Sequence, residues 1–471
     1  MALKPSRRTG LELYSSHLPE FIAKMAREKL PAVVIDTFAC YYDQILGGIT
    51  GLISDAQIAP VAEEEIVDAC ALDSYTEFGD QAVRRAVQIV LNGGLGTSMG
   101  LTRAKSLLTV KEGKSFLKII LDQAETDGVD LVFMNSFNTD QETREAVSAL
   151  KPRRQPRFFL QHKFPKILSS DLSPAHWPAN PELEWNPPGH GEIYTALHTS
   201  GLLAQLLKEG IQYALIVNCD NLGATLNRSL LGYFALKGYD IMMEVAQRTP
   251  ADMKGGHLAR HQNGHLILRE IAQCPTEECQ AFQDIHFYRY FNVNSIWVNL
   301  PALNQLIHKE KVVRLPIILN PKTVDPRDKK SPAVFQIETA MGAAIALFDR
   351  AAAVKVSDLR FRPVKKCADL LAVRSDCFIF DNRRRLIPNP ARRLGRIQIQ
   401  LDGEFYSRID DFERRFAHGT PSLIECAELK VLGDVFFEKD ITIAGKVTIR
   451  NRSGRPAVIP AGSRIDRDLN L

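Results

Sequence analysis

No apolar run in this chain approaches the ~20 residues that a membrane-spanning helix requires. The basic N-terminal residues Lys4, Arg7 and Arg8 have no apolar stretch behind them, so no secretory signal is expected. The eight cysteines, at positions 40, 70, 219, 274, 279, 367, 377 and 426, include no C-x-x-C pair. That excludes the usual zinc spacing and points to reduced thiols in a cytoplasmic protein, with no membrane partner. Charge of one sign is also lacking: 59 lysines and arginines stand against 55 acidic residues. Nucleic acid is therefore not expected as the partner. The one basic cluster, Arg383, Arg384 and Arg385 followed by Arg392, Arg393 and Arg396, has no interleaved aromatics to stack on bases. It reads as a solvated connector.

Three units are expected within the 471 residues. Residues 1–80 form a helical segment: Leu18, Phe21, Ile22, Met25 and Leu30 recur at helical spacing, as do Val34, Phe38, Tyr41, Tyr42 and Ile45, and Glu63–Glu65 suits the first turn of a helix. Residues 81–380 alternate short apolar runs with helical stretches, the pattern of an α/β domain with a mixed, mainly parallel sheet. Expected strands include Ala86–Leu91, Val129–Asn135, Arg157–Gln161, Tyr213–Asn218, Asp240–Val245, His265–Arg269 and Ser295–Leu300. Expected helices include Gly113–Ala124, Ile193–Glu209 and Gln336–Arg350. Residues 381–471 change character. Leu429, Val435, Ile441 and Val447 recur every six residues, shadowed by Val431, Phe437, Ile443 and Ile449. Hexapeptide repetition predicts a small β-helix, which needs a partner surface because each coil leaves an unpaired edge.

The chemistry concentrates after the run Ala86–Leu91. Leu91, Asn92, Gly93, Gly94, Leu95, Gly96, Thr97, Ser98, Met99 and Gly100 place four glycines in eight positions, with Lys105 and Ser106 close behind. Such a loop exposes main-chain N–H groups and lets backbone approach an anion; a lysine adds a full charge. The dinucleotide fingerprint does not fit, because Gly100 falls one residue too late after Gly94 and Gly96. Nor does a P-loop: Gly113, Lys114 and Ser115 supply its end, but Leu108 occupies the required upstream glycine position. The reading left is a triphosphate cradle of another type. Asp220, at the end of Ala214–Cys219, suits Mg²⁺, which is commonly held by one or two carboxylates plus phosphate oxygens.

The string resembles the nucleotide-binding loop of the eukaryotic-type UTP–glucose-1-phosphate uridylyltransferase family. Related N-acetylhexosamine enzymes usually carry arginine where Ser98 stands. The resemblance implies a Rossmann-like nucleotidyltransferase domain and a left-handed C-terminal β-helix. It implies a Mg²⁺-dependent, reversible conversion of UTP and glucose 1-phosphate to UDP-glucose and pyrophosphate. By position, Leu91, Asn92, Gly93, Gly94, Lys105, Gln161, Gly189 and Lys365 would bind nucleotide, and Gln161 would read the uracil edge. His190, Asn218, Cys219, Asp220, Gly256, Glu270 and Asn294 would contact substrate, with the Cys219 side chain pointing into the core. Asp220 would hold the metal, Lys105 the phosphates, and Lys365 would act as the cation between the α-phosphate and the sugar phosphate. In similar enzymes the β-helix serves assembly, so a homo-oligomer through that part is expected. The chain departs from the family pattern at Leu101–Ala104, Glu192, Lys366 and Cys367. Two rival readings are another sugar phosphate as substrate, such as galactose 1-phosphate or an N-acetylhexosamine phosphate, and a catalytically silent nucleotide-sugar sensor.

Overall fold

The computed structural model describes residues 17–471, with an 11-stranded mixed sheet at its centre. Its spine uses seven strands: β1 (Ala86–Asn92), β2 (Asp130–Asn135), β3 (Arg157–Leu160), β4 (Tyr213–Asn218), β5 (Ile241–Gln247), β6 (Tyr290–Asn299) and β7 (Ala351–Lys355). Across the sheet they run β7, β5, β6, β4, β1, β2, β3. All neighbours are parallel except β6, which runs antiparallel to both β5 and β4. Every residue of β1 is buried, as expected of a parallel strand covered on both faces. Its side chains alternate: Val87, Ile89 and Leu91 join one core layer, Ala86 and Val90 the other.

The parallel directions bring the C-terminal ends of β1, β3 and β4 to one edge. Asn218 lies opposite Leu91 in the β4–β1 register, so the glycine loop and the Cys219–Asp220 turn leave the sheet side by side. Reversal of β6 delivers its beginning to the same edge: Ser295 pairs with Val217, which leaves Asn294 beside the end of β4.

Two helices, α1 (Leu18–Arg27) and α2 (Ala32–Leu46), open the described chain. Phe21 of α1 meets Phe38 and Tyr42 of α2 at ring-centroid distances of 5.0 and 4.9 Å, and Phe38 meets Phe164 at 5.4 Å. This cluster also takes in Ile167, Trp185, Ile317 and Ile337, so the helices cap a small antiparallel sheet of Ile167–Leu168, Ile317–Thr323 and Ala333–Thr339. Residues 1–16 of the expected helical segment lie outside the described residues. The acidic run Glu63–Glu65 forms one 3-10 turn, not a helix start, and leads into the short strand Val67–Asp68 beside β7.

Three expected helices differ from the structure. The first begins at Phe116, not Gly113, because Gly113 is at φ +71° and Ser115 accepts from Lys118 N–H as the cap; α3 is Phe116–Asp127. The second is broken by Gly201 at φ +75° into α4 (Ile193–Thr199) and α5 (Leu202–Lys208). The third, Gln336–Arg350, is not an α-helix: strand Ala333–Thr339 covers its start and a 3-10 segment, Met341–Leu347, its middle. Met341 to Ile345 are buried there, and tertiary packing overrides their helical preference.

After α6 (Cys367–Arg374) comes one antiparallel pair, Phe378–Phe380 with Leu386–Pro388, and from Gln398 onward the named strands pair parallel. Gln398–Leu401, Cys426–Leu432, Gly445–Arg450 and Leu469–Asn470 form one sheet. Val435–Phe437 pairs with Ala457–Ile459, and Thr442–Ile443 with Arg464–Ile465. Leu429 lies opposite Val447 and Val431 opposite Ile449. All eight residues of the two hexad series are buried. Their core is continuous with one face of the main sheet. Among the described residues, no helix is long and apolar enough to cross a membrane.

Candidate active site

The glycine loop turns immediately at the end of β1. Asn92 is fully buried and donates its amide to Asn135 Oδ1 (2.8 Å) and Thr143 Oγ1 (2.9 Å). Its amide nitrogen anchors the strand end, while its buried Oδ1 has no hydrogen-bond partner among the described residues. Gly93 lies against Gln161: a Cβ there would stand 2.9 Å from Gln161 Oε1. Gln161 follows β3 and is itself held, its N–H donating to Asn135 O (2.8 Å) and its Nε2 to Gly189 O (2.7 Å).

Gly189 has φ +79°, and a Cβ would meet Thr339 O at 2.5 Å and Thr339 N at 2.7 Å. Glycine is required there on both conformation and space. Next to it, His190 Nδ1 accepts from Met341 N–H (3.0 Å). Burial pushes His190 down to about 4, so the ring is neutral near pH 7 with its proton on Nε2. Glu192 is buried and pairs with His162 Nδ1 at 2.5 Å, while burial raises its carboxyl above the usual range. Thr339, Met341 and His162 carry no recognisable sequence signal; only the two glycines around His190 hint that something packs closely on that turn.

The loop's far end turns toward charge. Lys105 N–H donates to Gly94 O (3.2 Å), and Lys105 Nζ meets Asp220 Oδ2 at 2.6 Å. The pair is largely screened from solvent, with side-chain exposures of 11% and 14%. Asp220 Oδ1 is buried without a hydrogen-bond partner. That open oxygen fits a hard cation completed by phosphate oxygens and water; among the described residues no cluster of three or more metal-ligating side chains offers a self-sufficient site. The neighbouring Cys219 is buried in the core, as its position predicts, and burial pushes its thiol up to about 12. It supports the strand end without presenting sulfur to a ligand.

Lys365 reaches the same place from β7. The segment before it is stitched to the Asp220 turn: Val364 N–H donates to Asp220 O (3.1 Å), Arg362 N–H to Asn221 Oδ1 (2.9 Å), and Asn221 Nδ2 to Arg360 O (2.9 Å). Ser98 Oγ donates to Lys365 O (3.3 Å), which ties the glycine loop to it as well. Lys365 itself is exposed, its Nζ 5.9 Å from the Phe361 ring centroid. Asp369 holds the N–H groups of Lys365 and Lys366, each at 2.9 Å. Arg360 is fixed by both oxygens of Glu244 at 2.7 Å. Glu244 is fully buried at a bulge in β5, the kind of irregularity that re-aims a side chain.

The remaining residues stand opposite Lys365. Glu270 covers Gly256, where a Cβ would fall 2.4 Å from Glu270 Oε2. Burial raises the Glu270 carboxyl and the Lys365 charge opposes that shift. Asn292 N–H donates to Gly256 O (2.9 Å) and its Nδ2 to Asn294 Oδ1 (2.8 Å), with Asn294 at φ +57°. Asn218 sits next to them at the end of β4. Of the departures at Leu101–Ala104, Leu101 packs on the glycine loop, where a Cβ at Gly96 would stand 2.7 Å from its Cδ1, while Ala104 is buried and Arg103 approaches Glu142 (3.8 Å).

A row of neutral hydrogen-bonding groups thus meets a cluster of two lysines and a carboxylate across one glycine loop. A family model described as UTP--glucose-1-phosphate uridylyltransferase matches residues 35–444. The enzyme of that name from Solanum tuberosum is 38% identical over 424 residues, covering 88% of this chain and 85% of the relative. That from Saccharomyces cerevisiae is 38% identical over 390 residues, covering 80% and 76%. Among solved structures, a mutant UDP-glucose pyrophosphorylase from Leishmania major in complex with UDP-glucose superposes with a TM-score of 0.89 at 38% identity, covering 97% of this chain and 99% of that one. A UDP-glucose phosphorylase from Trypanosoma brucei gives 0.88 at 39%, covering 97% and 100%. This chain belongs to the UTP–glucose-1-phosphate uridylyltransferase family.

Proposed function

We propose that this chain joins UTP and glucose 1-phosphate to give UDP-glucose and pyrophosphate, reversibly, by in-line attack of the sugar phosphate on the α-phosphorus. The observation that carries the reading is the Lys105–Asp220 pair, with Lys365 tied to the same turn through Val364. Two anions must be brought together in this reaction, and fixed cations between them lower its barrier. On this reading Lys105 leaves Asp220 for the triphosphate, and Lys365 lies between the α-phosphate and the incoming sugar phosphate. Gln161 Oε1 accepts from uracil N3–H and the Gly189 main chain bonds its neighbour, a pairing that rejects cytosine. Leu91, Asn92, Gly93 and Gly94 offer main chain to the nucleotide. Neutral His190 donates through Nε2. Asn218, Gly256, Glu270 and Asn294 meet the hexose hydroxyls, with the Asn218–Asp220 turn and Cys219 behind them.

Mg²⁺ is the cofactor we assign to Asp220, whose unpartnered Oδ1 suits it; when bound it supplies charge to the leaving pyrophosphate. The units are taken as a helical segment at 1–80, a catalytic domain at 81–380 and a C-terminal left-handed β-helix at 381–471, a reading supported by the three sets of parallel pairs in the tail. A cytoplasmic location is supported by eight unbridged cysteines. The exposed ends of the parallel coils support assembly of like chains through the tail, which light-scattering mass with and without residues after 385 tests. Pyrophosphate release is the direct assay, run over glucose, galactose and N-acetylhexosamine 1-phosphates with and without Mg²⁺. Release with glucose 1-phosphate alone, dependent on the metal, is expected; release with none of the sugars would sink the reading.

A further inference from the structure

The segment that carries Lys365 has an anchor of its own in the sheet. The chain leaves β7 at Lys355, and Val356 N–H still donates to Val245 O of β5 (2.8 Å). Arg360 then turns back to the adjacent residue of that strand: its Nε meets Glu244 Oε2 and its Nη2 meets Oε1, each at 2.7 Å. Glu244 Oε1 also accepts from Trp297 Nε1 of β6 (2.9 Å). The Glu244 side chain has no exposed surface, and that of Arg360 is only 12% exposed. Both carboxylate oxygens are satisfied, and the fork-to-fork contact sets the plane of the guanidinium.

A buried charge pair is a poor device for stability alone, because desolvation offsets most of the attraction. What this one adds is direction. Arg360 O accepts from Asn221 Nδ2 (2.9 Å), Asn221 Oδ1 accepts from Arg362 N–H (2.9 Å), and Val364 N–H donates to Asp220 O (3.1 Å). The two backbones lie so close that a Cβ at Gly223 would stand 2.3 Å from Leu359 O. Other ties do not set this relation. Asp369 takes the N–H groups of Lys365 and Lys366, but it belongs to α6, the next element of the same segment. Phe361 meets Phe291 edge-on at 5.2 Å, an apolar contact with little directional demand. We propose that Glu244 is a positioning residue for the transfer reaction: through Arg360 it fixes the Lys365 segment against the Asp220 turn, without itself reaching substrate. The proposal rests on the reading of Lys365 as the cation between the two phosphates.

The test compares the full-length wild type with Glu244→Gln, which keeps the shape of the side chain and removes its charge. Two readouts are taken: steady-state kinetics, and amide hydrogen exchange of the Lys365 segment. The expected result is a fall in kcat of about tenfold or more with the KM for UTP unchanged, the signature of an interaction lost only in the transition state. The amides of Arg362 and Val364 should exchange about tenfold faster or more, while those of β1 keep their protection. Wild-type kcat overturns the proposal. So does faster exchange in β1 together with the Lys365 segment, which would make Glu244 a plain support of the sheet. Should Glu244→Gln fail to fold, Arg360→Lys carries the same test, since it keeps the charge and loses the fork. A wild type that releases no pyrophosphate would remove the proposed activity, and unchanged exchange in the variant would remove the positioning role, so the two failures are told apart.

Discussion

The two sides of the cleft are built on opposite plans. On one side, Gln161, Gly189, His190 and Thr339 are neutral, held by hydrogen bonds within the group and to Pro188 and Met341, and so close that a methyl group added at Gly189 would collide. On the other, Lys105 and Asp220 satisfy each other through a charge contact that an incoming polyphosphate must take apart. The first side is complete before a ligand arrives, which suits recognition of a flat base by fixed donors and acceptors. The second is held shut by its own charges. A buried pair that trades one partner for another avoids leaving an uncompensated charge in a poorly solvated place.

This contrast breaks first at the cation that has no anionic partner. Lys365→Ala is expected to cost about 3–4 kcal/mol of transition-state stabilisation, on the order of 10²–10³-fold in turnover, while UTP still binds. Steady-state rates with a parallel UTP binding isotherm check it, and near-wild-type turnover would remove Lys365 from the mechanism. Asp220→Asn comes next. It should lower turnover by about tenfold or more and abolish the response to added Mg²⁺, with Lys105 left to the triphosphate; an unchanged metal titration would separate Asp220 from the cofactor. On the neutral side, Gly189→Ala should lose about 1–3 kcal/mol of stability from strain at its positive φ and the collision with Thr339, read as a lower denaturation midpoint together with weaker UTP binding.

The smallest effect concerns pH. The half-buried His190 titrates at about 4 in the folded chain against about 6.5 when unfolded. Between those values the unfolded state binds more protons, so stability rises with pH there. The contribution is fully present above about 6.5 and is lost as pH falls toward 4. His190→Asn should therefore flatten the acid side of the stability profile. An unaltered slope would show that His190 is not the neutral ring described here.

Much of the charged side was legible in the sequence: Asp220 ends an apolar run, Lys105 closes the glycine loop, and Lys365 stands in a contiguous block that resembles the family's. The β strands were legible as well: β1 and β4 are apolar runs bounded by turn residues. The neutral side was only half visible. Gly189 and His190 stand out, but Thr339 and Met341, which fix them, lie some 150 residues away in a stretch rich in alanine that mimics a helix. Local preference there is overridden by burial against the sheet. Likewise the salt contact from Glu244 to Arg360 arises from a bulge and from chain crossing, neither of which leaves a periodic trace. The hexad residues of the tail were legible as a buried series, and they lie in or beside strands that pair parallel.

Within the seven-strand spine β6 runs against both its neighbours, and so its first residues, not its last, reach the cleft. On the proposed reading, Gly256, Glu270 and Asn294 therefore come from one stretch of chain that contains none of the base-reading or phosphate-binding residues, while Asn218 comes from the end of β4. Sugar choice on that reading is divided between this stretch and the strand end that also carries Asp220, so a change of sugar specificity touches the transfer machinery as well.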